Sequence, residues 1–139
     1  YLLERGGAPA DAVASLGSQA PTYASQRTDE GLAAIAGAGF DGISVDAKVL
    51  LHEGRDGVRA TDLVDRAHAA GLQVFAWTLR PENRFLAKPH RRGPLASHWG
   101  AWMREWDLLI GAGLDGVFAD HPDLAIFAVD RASGTGRGR

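Results

Sequence analysis

Two ten-residue runs of this chain are near copies of each other: Gly37-Ala-Gly-Phe-Asp-Gly-Ile-Ser-Val-Asp46 and Gly111-Ala-Gly-Leu-Asp-Gly-Val-Phe-Ala-Asp120. Both follow the pattern Gly-Ala-Gly-apolar-Asp-Gly-apolar-x-x-Asp, and Ala70-Gly71-Leu72-Gln73-Val74 is a looser third copy. Each copy reads as a helix end, a glycine turn and a short buried strand with a polar residue at its C-terminal tip. Repeated helix-strand units of this size require parallel strands joined by helical crossovers, hence a doubly wound sheet or a (β/α) barrel. A dinucleotide fold carries its glycines after a strand, as G-x-G-x-x-G. Here the glycines precede the strands, which favours the barrel.

Taken in order, Tyr1-Leu2-Leu3 reads as the tail of an apolar strand, cut rather than begun, with Glu4 to Gly7 leading out of it. A short helix is predicted over Ala10 to Leu16, then a polar connection from Gly17 to Arg27. Thr28 is a helix N-cap, with Asp29 and Glu30 at the positive helix end and Leu32, Ile35 and Ala36 facing inward. Thr61 is a second N-cap, for a helix that buries Leu63, Val64 and Ala67. Val74 to Thr78 is a buried strand. Trp99, Trp102, Met103, Trp106, Leu109 and Ile110 recur at helical spacing and predict an amphipathic helix whose tryptophans serve packing. Pro122 opens a last helix through Val129.

The strands number four with the truncated first, about four β/α units, or half of the eight a closed barrel needs. Residues 1–130 are read as the domain. Residues 131–139, Gly- and Arg-rich from Ser133 onward, are read as a disordered tail.

Composition narrows the function classes. The chain has 139 residues, 45% hydrophobic and 23% charged, as expected of one globular unit. No apolar run approaches the roughly 18 residues of a membrane span. A net charge of −2 argues against a general nucleic-acid binder. With no cysteine, thiolate metal sites and a cysteine nucleophile are excluded, while the compartment stays open. The charge is uneven: Arg80, Arg84, Lys88, Arg91 and Arg92 face only Glu82 between positions 80 and 92, a local +4 that leaves −6 elsewhere.

The candidate functional residues lie at strand tips, the working end of such a fold. Asp46, Thr78 and Asp120 all fall there, although Asp120 is also placed to cap the last helix. Trp77 is suited to an apolar pocket wall, or else belongs to the core. Arg80 and Lys48 are suited to an anionic group such as phosphate, the alternative being a solvated basic run. Asp120-His121-Pro122-Asp123 has ligand-type residues without metal-ligand spacing, and His68 and His98 have no spaced partner.

The runs Ala69-Ala-Gly-Leu-Gln-Val-Phe-Ala-Trp-Thr78 and Gly113-Leu-Asp-Gly-Val-Phe-Ala-Asp-His-Pro-Asp123 resemble the C-terminal end of the glycerophosphodiester phosphodiesterase family. Thr22-Tyr23-Ala24, Gly31-Leu32 and Trp77-Thr-Leu-Arg-Pro-Glu-Asn-Arg-Phe-Leu86 resemble its periplasmic-type bacterial members, which favours a secreted or periplasmic location. The likeness runs over roughly residues 1–128. It implies a (β/α)8 TIM barrel of the phosphodiesterase type, of which this chain is the C-terminal half. The implied reaction is hydrolysis of glycerophosphodiesters to glycerol 3-phosphate and an alcohol, with a divalent cation, Ca²⁺ or Mg²⁺.

On this resemblance Trp77 lines the glycerol side of the pocket, and Lys48 and Arg80 add positive potential near the phosphate. The family's catalytic histidines and acidic metal ligands sit in motifs H-R-G, E-x-D, H-D and E-x-K of its N-terminal half. H-R-G, H-D and E-x-K are not found here, and the letters E-x-D occur only as Glu105-Trp106-Asp107, inside the predicted tryptophan helix and with no H-R-G before them, so no catalytic residue and no metal ligand is assigned in this chain. His90-Arg-Arg-Gly93 and Pro81-Glu-Asn83 are similar in letters to the family's H-R-G and P-E-N, but they stand in the wrong order and on the wrong strand. Ala119 departs from the Thr usual before the family's Asp-x-Pro. The chain is expected to be inactive alone. The competing readings are a phospholipase of the sphingomyelinase D kind and a non-catalytic barrel segment that binds or assembles.

Overall fold

The computed structural model describes residues 1–134. Its strands are β1 (Leu2–Leu3), β2 (Gly42–Asp46), β3 (Leu51–Gly54), β4 (Gly57–Ala60), β5 (Gln73–Leu79) and β6 (Gly116–Ala119). Its helices are α1 (Ala10–Leu16), α2 (Tyr23–Gln26), α3 (Asp29–Gly37), α4 (Leu63–Ala69), α5 (Trp102–Gly111) and α6 (Pro122–Ala132). Strands β1, β2, β5 and β6 pair in that order as one parallel sheet, while β3 and β4 form a separate antiparallel hairpin.

The register decides which side chains meet. It aligns Leu3, Val45, Ala76 and Val117 on one face, and Leu2, Ser44, Phe75 and Gly116 on the other. Leu3, Val45 and Ala76 have no exposed surface. They share one core with Leu32 and Ile35 of α3, Val64 and Ala67 of α4, Leu109 of α5 and Ala128 of α6. On the second face Leu2 is 51% exposed, and Phe118, two residues on from Gly116, is 56% exposed. A doubly wound sheet is covered by helices on both faces. This one is covered on a single face, giving a partial TIM-like α/β fold in which the strands do not close on themselves.

The repeated motif performs the same turn each time. Gly39 and Gly113 have φ of +88° and +91°, a conformation that L side chains rarely adopt. The N–H of Gly39 reaches the carbonyl of Ala36, and that of Gly113 the carbonyl of Ile110, each at 3.0 Å. Helix α3 starts as expected, the Thr28 hydroxyl accepting the Gly31 N–H at 3.2 Å.

Several expectations are corrected. The polar connection from Gly17 to Arg27 holds a 3₁₀ turn over Gly17–Gln19, and α2, capped by Thr22. The β3–β4 hairpin was not foreseen, and it displaces Thr61 from its capping role. The pairing of Leu51 with Ala60 carries Thr61 back onto Leu50, whose carbonyl takes its N–H at 2.8 Å. Asp62 precedes α4 instead, without a side-chain cap.

Helix α5 begins at Trp102, not Trp99. Trp99 lies outside it, bridged to Glu82 and 50% exposed, because the loop folds back so that Gly100 donates to the Pro81 carbonyl at 3.0 Å. Helix α6 runs to Ala132, three residues beyond the expected end, so residues 131 and 132 of the supposed tail are helical. The rest of that expectation, from residue 135 on, lies outside the described residues. Among the described residues no helix is long and apolar enough to cross a membrane.

Candidate functional site

A cavity of about 260 Å³ opens where β1, β2 and β5 end. The chain leaving β1 contributes Arg5, the end of β2 contributes Asp46 and Lys48, and the end of β5 contributes Trp77, Thr78 and Arg80. Phe85 closes it from the following loop, and Glu105, Trp106 and Leu109 from α5. The three residues expected to bind substrate, Trp77, Lys48 and Arg80, therefore share one cavity. Thr78 and Asp46, singled out as strand-tip groups, line it with them.

Each is held by a recognisable local device. Asp46 ends β2, and its Oδ1 accepts the backbone N–H of Lys48 at 2.9 Å, turning the chain into a 3₁₀ helix (Ala47–Leu50). Its Oδ2 lies 2.9 Å from Arg5 Nε. Asp120 does not cap α6, where His121 holds the N-cap position without a side-chain bond. It stands 2.6 Å from Arg80 Nε through Oδ2. The N–H of Arg80 Nε is not aligned with an acceptor, so this contact is a charge pair rather than a hydrogen bond. The Arg80 guanidinium also lies 4.5 Å from the centre of the Phe85 ring, and that of Arg84 lies 4.7 Å from it, so both arginines meet the same aromatic ring. Trp77 is half-buried, with its indole N–H unpartnered among the described residues.

Two pocket groups escaped the sequence reading. Arg5 lies in the run from Glu4 to Gly7, which the sequence marks only as the exit from a strand. Glu105 is 5% exposed on α5, and its Oε2 accepts the N–H of Ala87 at 2.9 Å and lies 2.8 Å from His90 Nδ1. This pair pins the basic loop to the helix. A signal was available: Glu105 is an acid set beside Trp106 and four residues before Leu109, within the apolar stripe. Asn83 knots the loop a second time, donating through Nδ2 to the Leu95 carbonyl at 2.9 Å and accepting the Arg92 N–H at 2.8 Å.

His121 and His68 lie apart from this arrangement. His121 stacks edge-on against Trp99 at 5.4 Å. His68, which has no partner at metal-ligand spacing in the sequence, sits 2.9 Å from Asp115 at the opposite end of the strands. The Asp115 carboxyl is held below its ordinary value of 3.8, first by the N–H of Val74 at 2.7 Å and then by His68. Among the described residues no group of three or more His, Asp or Glu side chains is placed to hold a metal ion. The cation implied by the resemblance therefore has no donor set among the described residues.

Fold and cavity together define an α/β chain of TIM-like type that gathers cations and an aromatic wall at the C-terminal ends of its parallel strands. The model of the Glycerophosphoryl diester phosphodiesterase family matches residues 8–124, most of the chain, and the chain belongs to that family. No curated protein matches it.

Proposed function

We propose that this chain forms the substrate-holding wall of a metal-dependent phosphodiesterase that converts glycerophosphodiesters to glycerol 3-phosphate and an alcohol. The reading is carried by one observation: in a chain of this family, Trp77, Lys48 and Arg80 line a single cavity at the strand tips. Lys48 and Arg80 bring positive charge to a phosphate, as a compact ammonium and a planar fork respectively. Trp77 offers an apolar face and an unpartnered N–H to the glycerol unit. The histidines that move protons and the carboxylates that hold the cation lie, in this reading, on strands outside this chain.

The test is an assay of the 139-residue chain with glycerophosphocholine and Ca²⁺ or Mg²⁺. No release of glycerol 3-phosphate is expected, while glycerol 3-phosphate itself binds. Metal-dependent turnover would show that the reacting groups are present after all. Absence of H-R-G followed by E-x-D upstream in the parent reading frame would remove the enzyme reading.

A further inference from the structure

The two full copies of the repeated motif each end in an aspartate, Asp46 and Asp120, and the two side chains do the same thing. Strands β1 and β2 are neighbours, as are β5 and β6. In each pair, the aspartate at the tip of the second strand meets the arginine that leaves the first. Asp46 Oδ2 meets Arg5 Nε at 2.9 Å, and Asp120 Oδ2 meets Arg80 Nε at 2.6 Å. Both arginines line the same cavity.

These pairs add little to folding. Their side chains are 60% and 18% exposed in one pair, and 35% and 47% in the other, and ion pairs this open to water contribute little to stability. What they do set is where each guanidinium lies, since the Nε of both arginines is drawn by charge against a carboxylate oxygen. An arginine paired at Nε keeps the N–H groups of its two terminal nitrogens for a second anion.

We propose that Asp46 and Asp120 are positioning residues that aim Arg5 and Arg80 at one phosphate group in the cavity, with Lys48 between them in sequence and charge. Arg5 thereby joins the phosphate site as a residue that binds substrate directly. The inference rests on the phosphate-binding reading above and adds two arginine-aiming carboxylates and a new ligand. Asp46 is doubly used, since its Oδ1 also shapes the turn that carries Lys48.

The sign of one substitution separates aiming from simple charge. Asp46→Asn and Asp120→Asn each remove a negative charge beside an anion site, so by Coulomb's law alone phosphate binding tightens. If the carboxylates aim the arginines, binding weakens. Asn at position 46 still offers an oxygen to the Lys48 N–H, which preserves the turn.

Inorganic phosphate and glycerol 3-phosphate are titrated into the 139-residue chain by calorimetry, with the arginine Nε–H signals followed by NMR. For wild type, saturable binding is expected with shifts at two arginine signals, lost singly in Arg5→Lys and Arg80→Lys. Each Asp→Asn variant is expected to bind about three- to tenfold more weakly, roughly one hydrogen-bonding contact's worth, with unchanged far-UV circular dichroism. No binding by wild type would remove the phosphate reading itself. Binding by wild type that is equal or tighter in both Asn variants would overturn the positioning role alone. An unshifted Arg5 signal would overturn its place in the site.

Discussion

Asp115 shows how one side chain of the repeat serves the fold rather than the pocket. It stands at the entrance to β6, and its carboxylate closes the N-terminal end of β5 by accepting the Val74 N–H. Because that bond and the contact to His68 lower its folded pKa below the ordinary 3.8, the carboxylate contributes stability that is fully present above that value. The contribution fades as pH falls through the lower, folded value. Asp115→Asn keeps an acceptor oxygen but not the charge. It is expected to lower the urea midpoint at pH 7, and the gap from wild type is expected to narrow at pH 3. A gap that stays constant across this range would mean that the ionised form has no special role.

The loop between β5 and α5 is the element on which the cavity depends. It carries Arg80 and Phe85 into the pocket, and it is anchored by Glu105 on one side and Asn83 on the other. Both His90 and Glu105 side chains are at most one-tenth exposed, so losing one partner strands the other away from water. Glu105→Ala is expected to cost roughly 2–4 kcal/mol in urea unfolding. Faster hydrogen exchange at Ala87, His90 and Ala101 is expected to accompany it, with slower change at the sheet amides. Uniform exchange across the chain would show that the loop has no separate anchorage.

Sequence and structure part company in this same element. The strands were legible because Ile43, Val45, Val74 and Ala76 are apolar in a row between glycine turns, and the helices because their apolar positions recur every three or four residues. Trp77, Lys48 and Arg80 could be placed at strand tips by counting along those strands. Arg5 and the true start of α5 could not, because each depends on contacts between residues distant in sequence, and Glu105 carried only the signal of an acid inside an apolar stripe. The spacing of Trp99 from Trp102 fits a helix, yet backbone bonds from Gly100 to Pro81 and from Ala101 to His90 hold Trp99 outside it. The hairpin was missed although Asp56-Gly57 is a strong turn signal, since Leu51–Gly54 has little apolar alternation to mark a strand.

At the scale of the whole molecule, charge is arranged against its own total. The net charge is −2, yet the loop from Arg80 to Arg92 carries +4 and abuts the cavity through Arg80 and Phe85. An approaching phosphate is repelled by the sum and attracted by the part, and distance decides between them. At 0.15 M salt the field of an exposed charge is screened over about 8 Å. Arg84, 4.7 Å from the Phe85 ring, lies close to the cavity, whereas Glu30 sits in the first turn of α3 and does not line it. Phosphate affinity is therefore expected to follow the loop and not the total. Raising NaCl from 50 to 500 mM is expected to weaken binding by roughly threefold. Arg84→Gln is expected to weaken it at low salt and flatten the salt dependence. Glu30→Gln makes the same size of change in net charge with opposite sign, and is expected to alter neither quantity. Equal and opposite effects from the two variants would mean that the field at the cavity is set by net charge, and that the basic loop is only a solvated surface.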